Sequence, residues 1–386
     1  EIDYPQPCEH TVCHGLNVAA RCGAEEGCKL GRLPALSETR QMKLGLSLGY
    51  SGAKLRIPLE LVQLAERLGY DSVWTAEAYG SDAITPLAWI AAHTDRIRLG
   101  TGIMQLAGRA PAMAAMQAQT VDALAGGNRV IAGLGVSGPQ IVEGWYGEPW
   151  GKPYWRLRDY IQIMRKINLR EDPVTHDGRE YQLPFTGEGS MGIGKPLMSI
   201  MHTNRTLPIW LGSGSEATVK LTAELCDGWL PMHFVPGRME HFRPWIEEGF
   251  RRAGNGKSWK DFEIMGSGPV TITDDVGAAL AAVKPSIALY AGGMGHKNLN
   301  FHNQHMVQRG YGDVAERVQE LYLAGRKQEA IDAIPDEYVD EAGLYGSIKR
   351  IEERWHAWAD SGITGFKIAN PTEESVQLMA DLVARR

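Results

Sequence analysis

From Lys43 onward two hydrophobic rhythms take turns along the chain. Short apolar runs without polar alternation lie at Lys43–Gly49, Ser72–Thr75, Arg96–Gly102, Val130–Leu134, Pro208–Leu211, Gly228–Met232, Glu263–Thr273 and Gly365–Ala369. Such runs predict strands buried on both faces. Between them apolar residues recur at helical spacing. Around Pro58–Gly69, for example, Ile57, Leu61, Leu64, Ala65 and Leu68 share one face and Gly69 supplies the stop. Pro86–His93, Pro111–Leu124, most of Glu143–Asn168, the segment ending at Cys226 and the C-terminal segment read the same way.

Strand–helix units that run from Met42 to Arg386 without a break predict an α/β fold, a (β/α)8 TIM barrel rather than a doubly wound sheet. The pattern is interrupted after strands four and seven. Val174–Leu183 reads as a hairpin turning at Asp177-Gly178, and Thr186–Lys195 is glycine-rich and patternless, as a mobile lid would be. A mainly helical insert spans about 275–362. Active groups of such barrels sit behind the strand C-termini. That rule singles out Tyr50, Glu77 to Asp82, Gln105 to Arg109, Gly135 to Gln140, Ser213 to Glu216 and His233.

Residues 1–41 show neither rhythm and no signal-peptide core. They hold Cys8, Cys13, Cys22 and Cys28, at spacings of neither a zinc ribbon nor a CxxC pair. We expect Met42 to be the genuine start and 1–41 a disordered or non-native leader; the alternative is a small metal-binding or redox tail. Beyond them only Cys226 remains, a scarcity ordinary for a reducing cytoplasm. A hydrophobic content of 44% supports a full core for one domain over 42–386. The net charge of −6 and pI near 6.0 argue against a nucleic-acid or membrane-surface partner. No uninterrupted apolar run is long enough to span a bilayer.

Candidate chemistry concentrates in two glycine turns. Gly133, Gly135 and Gly138 form a GxGxxG behind the fourth run, where bare backbone N–H groups can approach a phosphate. A dinucleotide fold would need an acid about 20 positions on, at a strand end. Asp159 has that spacing but lies in a helical pattern, so that reading fails. Gly212-Ser-Gly-Ser-Glu216 repeats the theme behind the fifth run, with Ser213 or Ser215 as helix N-cap. Two such loops on one barrel face suggest one long phosphorylated ligand.

The helix at 152–170 carries Lys152, Arg156, Arg158, Arg165, Lys166 and Arg170 against Asp159, a face that either holds an anion or is merely solvated. Glu77, among Trp74, Ala76 and Ala78, either ligates, orients or protonates a ligand or serves as a hydrogen-bond acceptor within the mouth. His233 is either a donor to ligand or a satisfied pocket histidine. His296, His302 and His305 cluster without HExxH or paired carboxylates, so no metal is expected. No GxSxG and no P-loop occurs, which leaves any chemistry to a cofactor.

Lys43–Tyr50, Thr75 to Asp82, Leu99-Gly-Thr-Gly-Ile103, Gly133 to Pro139 and Asp227-Gly-Trp229 together resemble the bacterial luciferase-like superfamily. Within it the chain is similar to the coenzyme F420 (5-deazaflavin) oxidoreductases related to methylenetetrahydromethanopterin reductase, including at Lys284 to Gly295 and Ile334 to Asp340. The resemblance implies a non-prolyl cis peptide at Gly102–Ile103 backing the deazaflavin ring. It implies that Gly135, Val136, Ser137 and Gly138, with Gly212, Ser213, Gly214 and Ser215, hold the cofactor's phosphate side. It also implies hydride transfer with a small-molecule substrate, for which Glu77 and His233 are the catalytic candidates and Tyr50, Tyr79, Gln105 and Trp145 the substrate-side candidates. FMN and monooxygenation are the alternative, or a catalytically silent flavin-binding barrel, and a homodimer is the family-level expectation. The strand-two motif usually reads Asp-His, and here reads Glu77-Ala78, which argues against members that use that histidine as base.

Overall fold

The eight apolar runs close into a parallel barrel. In the computed structural model, which describes residues 41–294 and 299–386, its strands are β1 (Lys43–Gly49), β2 (Ser72–Thr75), β3 (Arg98–Thr101), β4 (Val130–Gly135), β5 (Ile209–Ser213), β6 (Gly228–Pro231), β7 (Glu263–Ile272) and β8 (Gly365–Ala369). Each pairs in parallel with the next, and β8 returns to β1, Lys43 opposite Gly365 and Leu46 opposite Ile368. Closure leaves no barrel strand with a free edge. All strand C-termini therefore open on one mouth, and the loops behind β4 and β5 are neighbours there, with Leu134 opposite Leu211.

Outward strand residues such as Val73, Leu99 and Ala132 pack under the helices in the main core. The barrel interior is a separate, small cluster of Trp74, Ile131, Trp210, Leu230 and Met265, with Ile103 against it. Trp74 and Trp210 meet with ring centroids 5.3 Å apart. Each needs a bare neighbour: a Cβ on Gly100 would overlap Trp74, and one on Gly228 would overlap Trp210. At the N-terminal ends of the strands Arg98 bridges Asp71 (2.7 Å) and Glu263 (2.8 Å), and Lys43 joins Glu263 at 2.6 Å.

Three sequence expectations need correction. Most of Glu143–Asn168 is helical as read, but the start is moved: Pro139–Val142 is a short turn of helix, and Pro153–Leu169 starts only after Gly144, Gly147, Pro149 and Gly151. The insert is shorter than expected. Its helices between Val276 and Asp340 enclose their own core of Leu280, Met306, Val318, Ile334 and Tyr338. An unforeseen strand, Leu344–Gly346, then extends β7 (Val270 opposite Leu344), and the helix Ile348–Ala359 buries Trp355 and Trp358 in the main core. Third, Val276–Gly293 is long and apolar enough by composition to cross a membrane, with a mean hydropathy of 1.2. Lys284 and Pro285 interrupt it, and its Leu280, Ala288 and Ala291 pack into the insert core. The hairpin forms as read, His176 opposite Leu183, and Thr186–Lys195 is irregular. Cys8, Cys13, Cys22, Cys28 and His296 lie outside the described residues.

Candidate active site

The Gly102–Ile103 peptide is cis, at the end of β3. The chain then resumes as a two-residue strand, Met104–Gln105, that pairs with Leu134 and Gly135 of β4. The Ile103 side chain caps the barrel interior. A Cβ on Gly135 would stand 2.6 Å from its Cδ1, and one on Gly212 would stand 2.9 Å from its Cγ2. A Cβ on Gly133 would overlap the Thr101 carbonyl. The first two glycines of the GxGxxG and Gly212 are thus bare because strand β3 and Ile103 press on them. Packing is thus a reason for glycine at Gly135 and Gly212 that stands beside the expected phosphate role.

Groups whose chemistry would suit an anion lie further along each loop. Ser137 has φ +61°, and among the described residues the N–H groups of Ser137 and Gly138 meet no protein acceptor. Val136 is half-buried and packs against the main core. Behind β5, Ser215 is the N-cap of the helix Glu216–Leu225, accepting from the Thr218 N–H at 3.4 Å. Ser213 is corrected: its buried hydroxyl meets that of Thr222 at 2.9 Å and takes no part in the mouth. Gly214 lies under the His305 ring, which a Cβ there would overlap. The basic helix is also spoken for. Arg158 pairs with Glu224, Arg165 with Asp227, Lys166 with the Thr175 carbonyl, and Arg170 with the Ser199 carbonyl.

Glu77 is fully engaged. Its buried carboxylate receives both Arg109 nitrogens, at 2.7 and 2.8 Å, and the N–H groups of Gln105 (2.5 Å) and Ala83 (3.0 Å). An acid so satisfied has no lone-pair direction left for a ligand. The expected catalytic role is corrected to that of a clamp holding the strand-two loop to the segment behind the cis peptide. Gln105, expected on the substrate side, is 2% exposed; its amide donates to the Glu77 carbonyl at 2.8 Å, and its Oε1 has no partner.

Aromatic side chains from loop and insert face the mouth. Tyr79 and Trp145 make an edge contact at 6.5 Å, and the Tyr50 hydroxyl meets that of Tyr290 at 2.8 Å. The Tyr290 and His302 rings meet tilted, with centroids 4.7 Å apart, and His302 Nδ1 lies 2.9 Å from His233 Nε2. His305 adds a third ring, 5.6 Å from His233. His233 has one solvent-open side but stands among crowded protein, in the left-handed region at φ +50°. Desolvation, then the neighbouring His302 and His305, hold its imidazole well below the usual histidine pKa. Burial brings His302 and His305 down to about 4. All three are neutral at pH 7, so within the His233–His302 contact one ring donates and the other accepts. No three or more His, Cys, Asp or Glu side chains among the described residues are placed so that they could hold a metal ion together.

One charged group at the site escaped the sequence reading. Lys367, in the middle of β8, is 8% exposed and sends its Nζ to within 3.2 Å of where a Cβ on Gly102 would stand. The available signal was a lysine in an otherwise glycine and apolar strand. A solvent-open groove lined by Arg165, Asp227 and Lys257 lies elsewhere, at the opposite end of the strands.

A cis peptide behind β3 beside two glycine turns is the arrangement that the resemblance implies, and a family model for luciferase-like monooxygenases matches residues 40–365. The chain belongs to the luciferase-like monooxygenase family. A Mycobacterium tuberculosis relative, named as a candidate coenzyme F420-dependent oxidoreductase, is 48% identical over 344 residues, 89% of this chain and 99% of that protein. Among solved structures, the coenzyme F420-dependent tetrahydromethanopterin reductase of Methanopyrus kandleri has a TM-score of 0.70 at 21% identity, covering 89% of this chain and 99% of that one. An F420-dependent secondary alcohol dehydrogenase, in complex with an F420–acetone adduct, has a TM-score of 0.66 at 16% identity, covering 89% and 98%. At such identities these two structures speak for the fold alone. In this luciferase-like chain, Glu77-Ala78 departs from the Asp-His pattern while the glutamate keeps a structural task.

Proposed function

We propose that this protein is a coenzyme F420-dependent oxidoreductase that moves a hydride between the deazaflavin C5 and a small organic substrate at the barrel mouth. The observation that carries the reading is Ile103, wedged between Gly135 and Gly212 at the mouth as a backing for a ring. The 48% identical relative supports the choice of cofactor. The residues present fit such a group. The free N–H groups of Ser137 and Gly138 and the capped helix start at Ser215 suit its phosphate side. The orphaned Gln105 Oε1 lies behind the peptide that would support the ring.

When bound, the deazaflavin supplies a carbon that accepts or releases a hydride, and without N5 it lacks the oxygen chemistry of flavins. The chain supplies orientation and exclusion of water. Tyr50 with Tyr290 and Tyr79 with Trp145 wall a substrate over the ring. His233 and His302, too weakly basic to take a proton at pH 7, orient the substrate by hydrogen bonding, which is the donor role among the two readings of His233.

Fluorescence titration of the purified protein with F420 and with FMN tests this reading. We expect F420 to bind and to be turned over with at least one member of a panel of enones, alcohols and imines. Tight FMN binding without F420 binding would sink it in favour of a monooxygenase. Binding without any turnover would favour a silent barrel.

A further inference from the structure

The buried charged side chains of the described residues are Glu77, Asp122, Arg129, Asp159 and Lys367. The first four are held within the protein: Glu77 by Arg109, Asp122 by the Arg129 and Val130 N–H groups, Arg129 by the Thr94 carbonyl and hydroxyl, and Asp159 by the Glu180 and Tyr181 N–H groups. Lys367 has no hydrogen-bond or ion-pair partner among the described residues. Its Cβ stands beside Gly45, 3.1 Å from a Cβ built there, while its Nζ has reached Gly102, 3.2 Å from a Cβ built on that residue. The side chain thus climbs the barrel interior from mid-strand to the cis peptide. On the way its ammonium passes 5.2 Å over the Trp74 ring.

Burying an ammonium without an anion beside it costs stability, and an uncharged chain of similar length would avoid that cost. Burial alone lowers its pKa, to about 8, so it is charged at neutral pH. The groups lying against it are Trp74, Gly45, Gly102 and, nearby, Ser72, none of which titrates in this range. Beyond the face of the Trp74 ring, the described residues offer this ammonium no countercharge.

We propose that Lys367 is the electrostatic partner of the deazaflavin ring, its ammonium under the Gly102–Ile103 peptide neutralising the negative charge of the ionised ring. The proposal rests on the F420 reading above. An 8-hydroxydeazaflavin is a weak acid whose anion spreads over the ring system, so a fixed cation beneath it favours the anionic over the neutral form. The ammonium lies on the barrel side of the peptide that backs the ring. It therefore cannot reach a substrate on the opposite face, and its task is to hold ring charge, not to pass a proton to substrate.

The test is a pH titration of the absorbance of bound oxidised F420 in wild type and in Lys367→Met, which keeps the stem and removes the charge. The variant should melt no lower than wild type, because the lost charge has no partner in the protein. Lys367→Gln serves as a second neutral variant should the methionine fail to pack. In wild type the ring should ionise at a lower pH than in free F420. In the variant the midpoint should rise by about one pH unit, a tenfold loss of preference for the anion. If wild type does not bind F420 at all, the cofactor reading fails. If it binds and the midpoint is the same in wild type and variant, the role given to Lys367 is overturned and the cofactor reading stands.

Discussion

Single residues at the mouth do work that their type does not announce. Gly135 looks like a phosphate glycine, yet the atom that forbids a side chain there is Ile103 Cδ1, 2.6 Å from a would-be Cβ. This predicts that Gly135→Ala displaces Ile103 and weakens F420 binding by about 1–3 kcal/mol, the usual cost of overpacking. The double variant Gly135→Ala/Ile103→Val should regain much of the loss, as seen in dissociation constants from fluorescence titration. Equal weakening in single and double variants would return Gly135 to a direct phosphate role. Glu77 is the converse case. A carboxylate at a strand end invites a catalytic reading, but Arg109 and two N–H groups consume it.

At the level of elements, the helix Phe301–Gln308 couples the insert to the barrel. It presents His302 to His233, lays His305 over Gly214, and is anchored by Asn303 to the Ala291 and Ala315 carbonyls. Both histidines are neutral in the folded state, with pKa values of about 4. The unfolded chain, whose histidines titrate near 6.5, binds more protons between those values. Stability on this account is fully present above about pH 6.5 and falls as the pH drops toward 4. Melting at pH 7 and at pH 5 should show a drop of several degrees in wild type and a shallower one in His302→Gln. Equal drops would mean that the insert histidines are not the groups responsible.

On the scale of the whole molecule, an apolar face is left on the outside of the barrel. Trp89 is 55% exposed, and Met113, Met116 and Leu124 are 48%, 53% and 70% exposed. The three lie with Thr120 along one stripe of the helix Pro111–Leu124, next to the helix Thr85–Ala91 that carries Trp89. A patch of this kind is a candidate interface for the homodimer that the family resemblance implies. We propose that two copies of the chain pair through it. Light scattering should give the mass of a dimer for wild type and of a monomer for Met116→Lys; a monomeric wild type refutes the pairing.

Much of the fold was legible because hydrophobic period is a local property. A run buried on both faces or an apolar stripe shows itself within a few residues, and eight such runs with helices between them leave little choice but a closed barrel. The family resemblance added the place of the cis peptide, and adjacent strands then set both glycine turns at one mouth. What no stretch of sequence contains is who faces whom. That Ile103 would fill the space of Gly135 and Gly212, that Arg109 would exhaust Glu77, and that Lys367 would end beneath Gly102 depend on register between strands far apart in the chain. Only barrel closure fixes that register, and with it which polar groups are left for a ligand.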